Sequence, residues 1–176
     1  IAHLGVLRIA TRTLTMLPER ITPALASLLG RHTPLYLTTH FNHPRELTSV
    51  TAEACARLAE AGIPLANQAV LLRGVNDDAE TLISLCDGLL RLRVRPYYLH
   101  QLDPVHGTGH FRVPIERGLT LVATLRQQVS GLAVPHYIVD LPGGRGKVAL
   151  TPESVVRLGD SAVIRAANGE LVTVPN

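Results

Sequence analysis

Ala69-Val-Leu-Leu-Arg-Gly-Val-Asn-Asp-Asp-Ala-Glu-Thr-Leu-Ile-Ser-Leu-Cys-Asp-Gly-Leu-Leu90 holds one complete structural unit. Ala69 to Leu72 is an unbroken apolar run, as a strand buried on both faces requires. Arg73 to Asp77 is a polar loop, and Asp77 with Glu80 supplies a capping box for a helix. Leu82, Leu85, Cys86, Leu89 and Leu90 then recur at helical spacing and form the clearest apolar stripe in the chain.

The same strand-then-helix order extends outward from this unit. Upstream, Leu35-Tyr-Leu37 reads as a strand that ends in Thr39-His-Phe-Asn-His43, and Leu47, Val50, Ala54, Cys55 and Leu58 face one side of a helix stopped at Gly62. Before it, Val6 to Ile9 is a short strand. Thr22 is an N-cap and Pro23 the first position of a helix with Leu25, Leu28 and Leu29 inward. Downstream, Val94 to Leu99 is a strand, and the loop bearing His106, Gly107, Gly109 and His110 reads as a lid or site wall. Pro114 opens a helix with Ile115, Leu119, Val122 and Leu125 inward, and His136 to Val139 is a strand running into Asp140. Beyond Leu150 the pattern changes to short β pieces around Val155, Ala162 to Arg165 and Leu171 to Val174, with an Asn168-Gly169 hairpin signal.

This alternation predicts an α/β chain with parallel strands and right-handed crossovers, either a barrel or an open sheet, over residues 1–150. A small terminal β segment is expected over residues 151–176. In both architectures ligands sit at the carboxyl ends of the strands, where Arg12, His40, Asn42, His43, Gln68, Arg73, Asn76, His100, Asp103 and Asp140 fall. The expectation is one shared mouth. Tyr97 and Tyr98 should alternate, one in the core and one toward that mouth.

Composition narrows the class. Hydrophobic residues at 46% against 18% charged exclude disorder, and no apolar run is long enough to span a bilayer. A net charge of +3 with two phenylalanines and four tyrosines offers few platforms for stacked bases, so nucleic acid is not an expected partner. Cys55 and Cys86 cannot make a disulfide framework or a metal cluster, which favours a reducing cytoplasm. Ile1-Ala2-His3-Leu4 shows neither a starting methionine nor a secretory head, and the chain is expected to lack its natural beginning.

Of 17 lysines and arginines, Lys147 is the single lysine, leaving 16 arginines. An ammonium can release its proton and become a nucleophile, which a guanidinium cannot. Lys147 closes Asp140-Leu-Pro-Gly-Gly-Arg-Gly-Lys147, where Gly143, Gly144 and Gly146 permit positive φ and can form an anion-binding nest. An amine beside a phosphate cradle suggests pyridoxal phosphate held as a Schiff base. A Gly-rich turn with a solvated lysine is the plainer alternative. It is not a Walker A loop, because Val148 follows the lysine. Asp103 and Asp140 could act as general acid and base, bind a cationic group, or cap the following turns. His40 and His43 are spaced too loosely for a metal pair, so capping or substrate contact is expected of them, and no metal ligands are assigned.

Thr39-His-Phe-Asn-His-Pro44, Asn67-Gln68, Leu71-Leu-Arg-Gly-Val-Asn-Asp77, Arg95-Pro-Tyr-Tyr98, Gly109-His-Phe-Arg112 and Pro142-Gly-Gly-Arg-Gly-Lys147 occur in this order. Together they resemble the C-terminal part of the lysine 2,3-aminomutase family, from about Ile1 to about Arg165. The resemblance implies a partial (β/α) radical-SAM-type barrel with a small C-terminal β appendage. It also implies three cofactors: pyridoxal phosphate, S-adenosylmethionine and a [4Fe-4S] cluster whose ligands lie outside this chain. The implied reaction converts L-lysine to β-lysine by a radical 1,2-amino shift. Lys147 then matches the Schiff-base lysine, and Asp103 and Asp140 match the carboxylates that hold the substrate's ε-ammonium. Tyr97 and His100 would lie by the pyridoxal ring, Gly144 and Gly146 in its phosphate loop, and His40 and Gln68 at the S-adenosylmethionine site. His100 stands where other members carry tyrosine and resembles the branch that makes β-lysine for elongation factor P, the alternative role. Asp78 stands where some members carry a zinc-binding cysteine, so no zinc is expected. A homo-oligomer is implied for the full-length protein, while the fragment alone is expected to be inactive. A non-catalytic half-barrel that binds pyridoxal phosphate or other phosphates is the reading of another class.

Overall fold

Helix caps and apolar spacing account for the elements. The computed structural model describes residues 3–32 and 34–176; Ile1 and Ala2, where the expected βα region begins, lie outside the described residues. Strands β1 (Leu7–Ala10), β2 (Leu35–Thr39), β3 (Leu65–Val70), β4 (Val94–His100) and β5 (His136–Asp140) pair in chain order, each parallel to the one before. The sheet curls into a half-barrel, and β6 (Lys147–Ala149) extends it antiparallel to β5. A separate antiparallel sheet holds β7 (Val155–Arg157), β8 (Ser161–Arg165) and β9 (Leu171–Pro175).

The crossovers are α1 (Thr13–Met16), α2 (Pro23–Gly30), α3 (Ser49–Glu60), α4 (Ala79–Arg91) and α5 (Ile115–Gln128). Thr22 caps α2 by accepting from the Leu25 amide at 3.2 Å, with Pro23 at the first turn, as its sequence predicts. In α4 the stripe Leu82, Leu85, Cys86 and Leu89 is buried against the sheet. Burial of each such leucine stabilises the fold by roughly 1.5–3 kcal/mol.

Several local readings shift. The cap of α4 is Asp78, whose Oδ1 accepts from the Thr81 amide at 2.8 Å, while Asp77 accepts from the Gly74 amide inside the loop. The third strand begins at Leu65, not Ala69, and ends at Val70. Asn67 and Gln68 interrupt its apolar residues, which hides it from a search for a continuous apolar run. β1 is displaced by one residue from Val6–Ile9. Leu28 and Val50 are 51% and 37% exposed, because Ala26 and Thr51 take the inward positions of their helices. In α5 Leu121 is buried where Leu119 is only partly so, and Pro114 sits one position before the helix.

The alternation of each strand divides the sheet into two faces. Leu37, Leu65, Asn67, Leu99 and Tyr137 point toward the helices and are buried. The opposite face is more open: Tyr36, Arg95 and His136 are exposed and Gln68, Tyr98, His100 and Asp140 half-buried, while Thr38 and Ile138 are buried. The site lies there.

Candidate functional site

Parallel register sets the site out in rows. Gln68 pairs with Tyr98 and Tyr98 with His136, so these three share the open face. His100 lies one step further along β4, and Asp140 one step past Ile138 on β5. The antiparallel β5–β6 pairing then places Lys147 directly across from Asp140. The sequence reading treated Asp140 to Lys147 as one glycine turn. In the structure its two ends are facing strand residues, and the Leu141 amide donates to the Gly146 carbonyl at 2.9 Å to close the hairpin. Gly143, Gly144 and Gly146 adopt φ of 74°, 73° and 83°, the left-handed conformation that favours glycine.

Lys147 Nζ donates to both Asp140 oxygens, at 2.5 and 2.7 Å, and both side chains remain partly open to solvent. This two-pronged contact is the stronger, charge-assisted kind. His100 Nδ1 lies 3.1 Å from Asp140 Oδ2. Burial, and then the Lys147 ammonium, hold the His100 pKa below its ordinary value of 6.5 against the opposing pull of Asp140 and Asp103. In its neutral form His100 keeps a proton on Nδ1 to donate to the carboxylate. Its Nε2 is buried and finds no protein partner, an acceptor left for another donor.

Tyr97 and Tyr98 do not alternate. A bulge opposite Asn67 and Gln68 turns both to the open face, where their rings lie 3.9 Å apart and the Tyr98 hydroxyl donates to that of Tyr97 at 3.0 Å. That bond, then burial, raises the Tyr98 pKa. The Tyr98 ring meets the edge of His100 at 5.6 Å, so an aromatic row runs toward Asp140. Tyr98 and His136 were missed as site-facing groups. Register reasoning across β4 and β5 finds His136, but the bulge that turns Tyr98 leaves no mark in the sequence.

Asp103 is exposed in the loop after β4 and shares a cleft of about 270 Å³ with Asp140. Val174 and Pro175 of β9 form its far wall. Gln101 fixes the base of that loop: its Nε2 donates to the Val113 carbonyl at 2.8 Å, and its Oε1 accepts from the Tyr137 hydroxyl at 2.5 Å. Gly118 in α5 lets the Tyr137 ring approach, since a Cβ there would overlap it. His40 and Gln68 form a second group further along the sheet. Burial and then Arg12 lower the His40 pKa, partly offset by a hydrogen bond with the Gln68 backbone.

The single shared mouth needs correction. Asn42 and Asn76 are committed to the loops: Asn76 Nδ2 donates to the carbonyls of Asn42 and Val70, and Asn42 Oδ1 accepts from the Val70 amide at 2.8 Å. His43 Nδ1 accepts from the Arg45 amide and caps a short turn, as one of its expected roles requires. Cys55 and Cys86 are buried, and burial pushes their thiols up to about 11 and about 12. Among the described residues no group of three His, Cys, Asp or Glu stands close enough to hold a metal ion, and no helix is long and apolar enough to cross a membrane.

Pyridoxal phosphate suits the residues present. They offer an amine on an open face, a carboxylate against it, ring faces alongside and an orphaned acceptor on His100. A Cβ placed on Gly144 or Gly146 would meet nothing within 4 Å, so open space adjoins the turn where an anion fits.

Comparison with known proteins places this geometry among relatives. A family model described as "Lysine-2,3-aminomutase" matches residues 122–176. The chain is 44% identical to the L-lysine 2,3-aminomutase of Clostridium subterminale over 174 residues, which cover 98% of the chain and 42% of that protein. The Bacillus subtilis L-lysine 2,3-aminomutase is also 44% identical, with 99% of the chain and 37% of that protein covered. The glutamate 2,3-aminomutase of Clostridioides difficile is 44% identical as well, with 98% and 41% covered. The chain thus spans about two fifths of the length of the curated relatives it matches. A radical SAM methyltransferase from Sphaerobacter thermophilus shares the fold at a TM-score of 0.57 and 20% identity, over 76% of this chain and 40% of that one.

Proposed function

We propose, from the premise that the chain belongs to the lysine 2,3-aminomutase family and corresponds to its C-terminal part, that the whole protein moves the α-amino group of L-lysine to the β-carbon. Equal identity to lysine and glutamate aminomutases means that overall similarity does not choose the substrate. The observation that carries the choice of lysine is the pair Asp103 and Asp140 in one cleft, with Asp140 beside Lys147. A cleft with two carboxylates attracts a cationic side chain and repels a carboxylate.

When bound, pyridoxal phosphate supplies an aldehyde for an amine and a conjugated ring that spreads an unpaired electron, while S-adenosylmethionine with an iron–sulfur cluster supplies the radical. This chain's residues do the rest. Lys147 offers the amine that anchors the cofactor. Gly144 and Gly146 leave backbone space for its phosphate, and Tyr97 and His100 bound its ring. Asp103 and Asp140 hold the far ammonium of the substrate and so fix where its β-carbon lies. His40 and Gln68 line the adjoining space assigned to the adenosyl group. Service to elongation factor P remains the second reading, motivated by His100 in place of tyrosine, and the cytoplasm is the proposed compartment.

Turnover of L-lysine against L-glutamate by the full-length protein, supplied with all three cofactors, tests this. Lysine should be favoured by about 100-fold or more in kcat/KM. Preference for glutamate, or Asp103→Asn and Asp140→Asn variants that turn over lysine normally, would overturn it.

A further inference from the structure

The two carboxylates of the cleft are held in different ways. Asp140 is gripped by Lys147 and His100, whereas the Asp103 side chain accepts no hydrogen bond among the described residues. A carboxylate without a partner is placed by its backbone alone. Pro104 sets part of that backbone. It disfavours the helical region for Asp103, and the Val105 amide donates across it to the Asp103 carbonyl at 2.8 Å, closing a three-residue turn. The rest comes from the neck of the loop. From Leu102 to Arg112 no residue is buried, while Gln101 and Val113 at its two ends are.

Gln101 Nε2 donates to the Val113 carbonyl twelve positions on, so one amide joins both ends of the loop. A carbonyl only accepts, which fixes the orientation of the amide and turns Oε1 toward Tyr137, whose hydroxyl must donate. Burial, then Glu116, raises the Tyr137 pKa and keeps that proton in place. We infer that Gln101 and Tyr137 are positioning residues for Asp103, clasping the neck of the β4–α5 loop so that an uncommitted carboxylate stands fixed in the cleft. This rests on the reading of Asp103 as a holder of the substrate's ammonium. The incoming cation then meets a full charge and free lone pairs, with no prior contact to break and no loop left to order.

The test is steady-state kinetics of the full-length protein on L-lysine, with all three cofactors supplied and each variant kept below its melting transition. Tyr137→Phe deletes the hydroxyl and keeps the ring. It should raise KM by about tenfold and leave kcat within about threefold, as a loosened hold on the far end of the substrate does. Gln101→Met, similar in length but without donor or acceptor, should raise KM likewise. A variant that is merely less folded shows the reverse, a lower apparent kcat at unchanged KM, and that result overturns the inference. In an Asp103→Asn background Tyr137→Phe should move KM by less than about twofold, because the group it positions has lost its charge. A tenfold effect that persists in that background overturns the inference as well. Failure of the underlying reading shows separately: Asp103→Asn alone then leaves KM for lysine unchanged, and the inference falls with it.

Discussion

The four parallel βα units and the β5–β6 hairpin solve different problems with different residues. The units are held by buried leucines, capped helices and an asparagine network that closes the loops, so each is determined by its own stretch of chain. The hairpin's turn, Pro142 to Lys147, has little apolar surface to bury. Lys147 and the glycine turn are exposed, and Arg145 reaches out of the turn to Glu170 in the β8–β9 loop at 3.0 and 3.1 Å. A rigid scaffold therefore presents a polar strip whose shape depends on ion pairs and on backbone conformation. Substitutions in the two regions should separate function from stability.

The widest separation is expected for Lys147→Ala. It should abolish the absorbance of bound pyridoxal phosphate and lower turnover of the full-length protein by roughly 10⁴-fold or more, as removal of a covalent anchor does. Thermal melting should barely move, because the Lys147 side chain is 44% exposed. A variant that unfolds would show that the hairpin is part of the scaffold and erase the distinction. Leu85→Ala should do the converse. It hollows the fully buried face of α4 and should cost about 2–5 kcal/mol in denaturant unfolding, with the spectrum of any folded, cofactor-loaded protein unchanged.

A smaller effect tests the caps. Asp78→Ala should cost about 1 kcal/mol at pH 7 by leaving the Thr81 amide unpaired. Hydrogen bonds from Thr81 depress the folded-state pKa of Asp78 below its ordinary 3.8. The cap's contribution is therefore present above that value and fades as pH falls through the folded pKa, so melting curves of variant and wild type should converge in acid. The smallest change is expected for Glu170→Gln, which weakens the hold on Arg145 at an open surface. Melting should shift little and affinity for pyridoxal phosphate by a few-fold, with partial recovery when the charges are exchanged as Arg145→Glu with Glu170→Arg. No change in cofactor affinity would mean that the glycine turn keeps its shape without this tie.

What the sequence disclosed follows the same division. The stripe of α4, the Thr22 cap and the Asn168-Gly169 hairpin were legible because each is local: a period, an oxygen before a helix, a pair of residues suited to positive φ. β3 was misplaced because its buried Asn67, which exchanges hydrogen bonds with the Phe41 backbone at 2.7 and 2.9 Å, breaks the apolar run. The residues Lys147, Asp140, His100 and Tyr97 could be named in advance, but not their contacts. Tyr97 and Tyr98 face the same way through a bulge, and Lys147 faces Asp140 through a strand of three residues, too short to carry a period.

Asn176 ties distant parts of the chain in another way. Its Oδ1 accepts from the Ile115 amide at 2.8 Å across 61 positions, and its Nδ2 donates to Glu116 and to the Gly159 carbonyl. The first turn of α5 thus has no side-chain cap of its own and borrows one. During ribosomal synthesis α5 emerges well before the residue that completes it. The last crossover must wait, its leading amide open to water, until the tail sheet arrives.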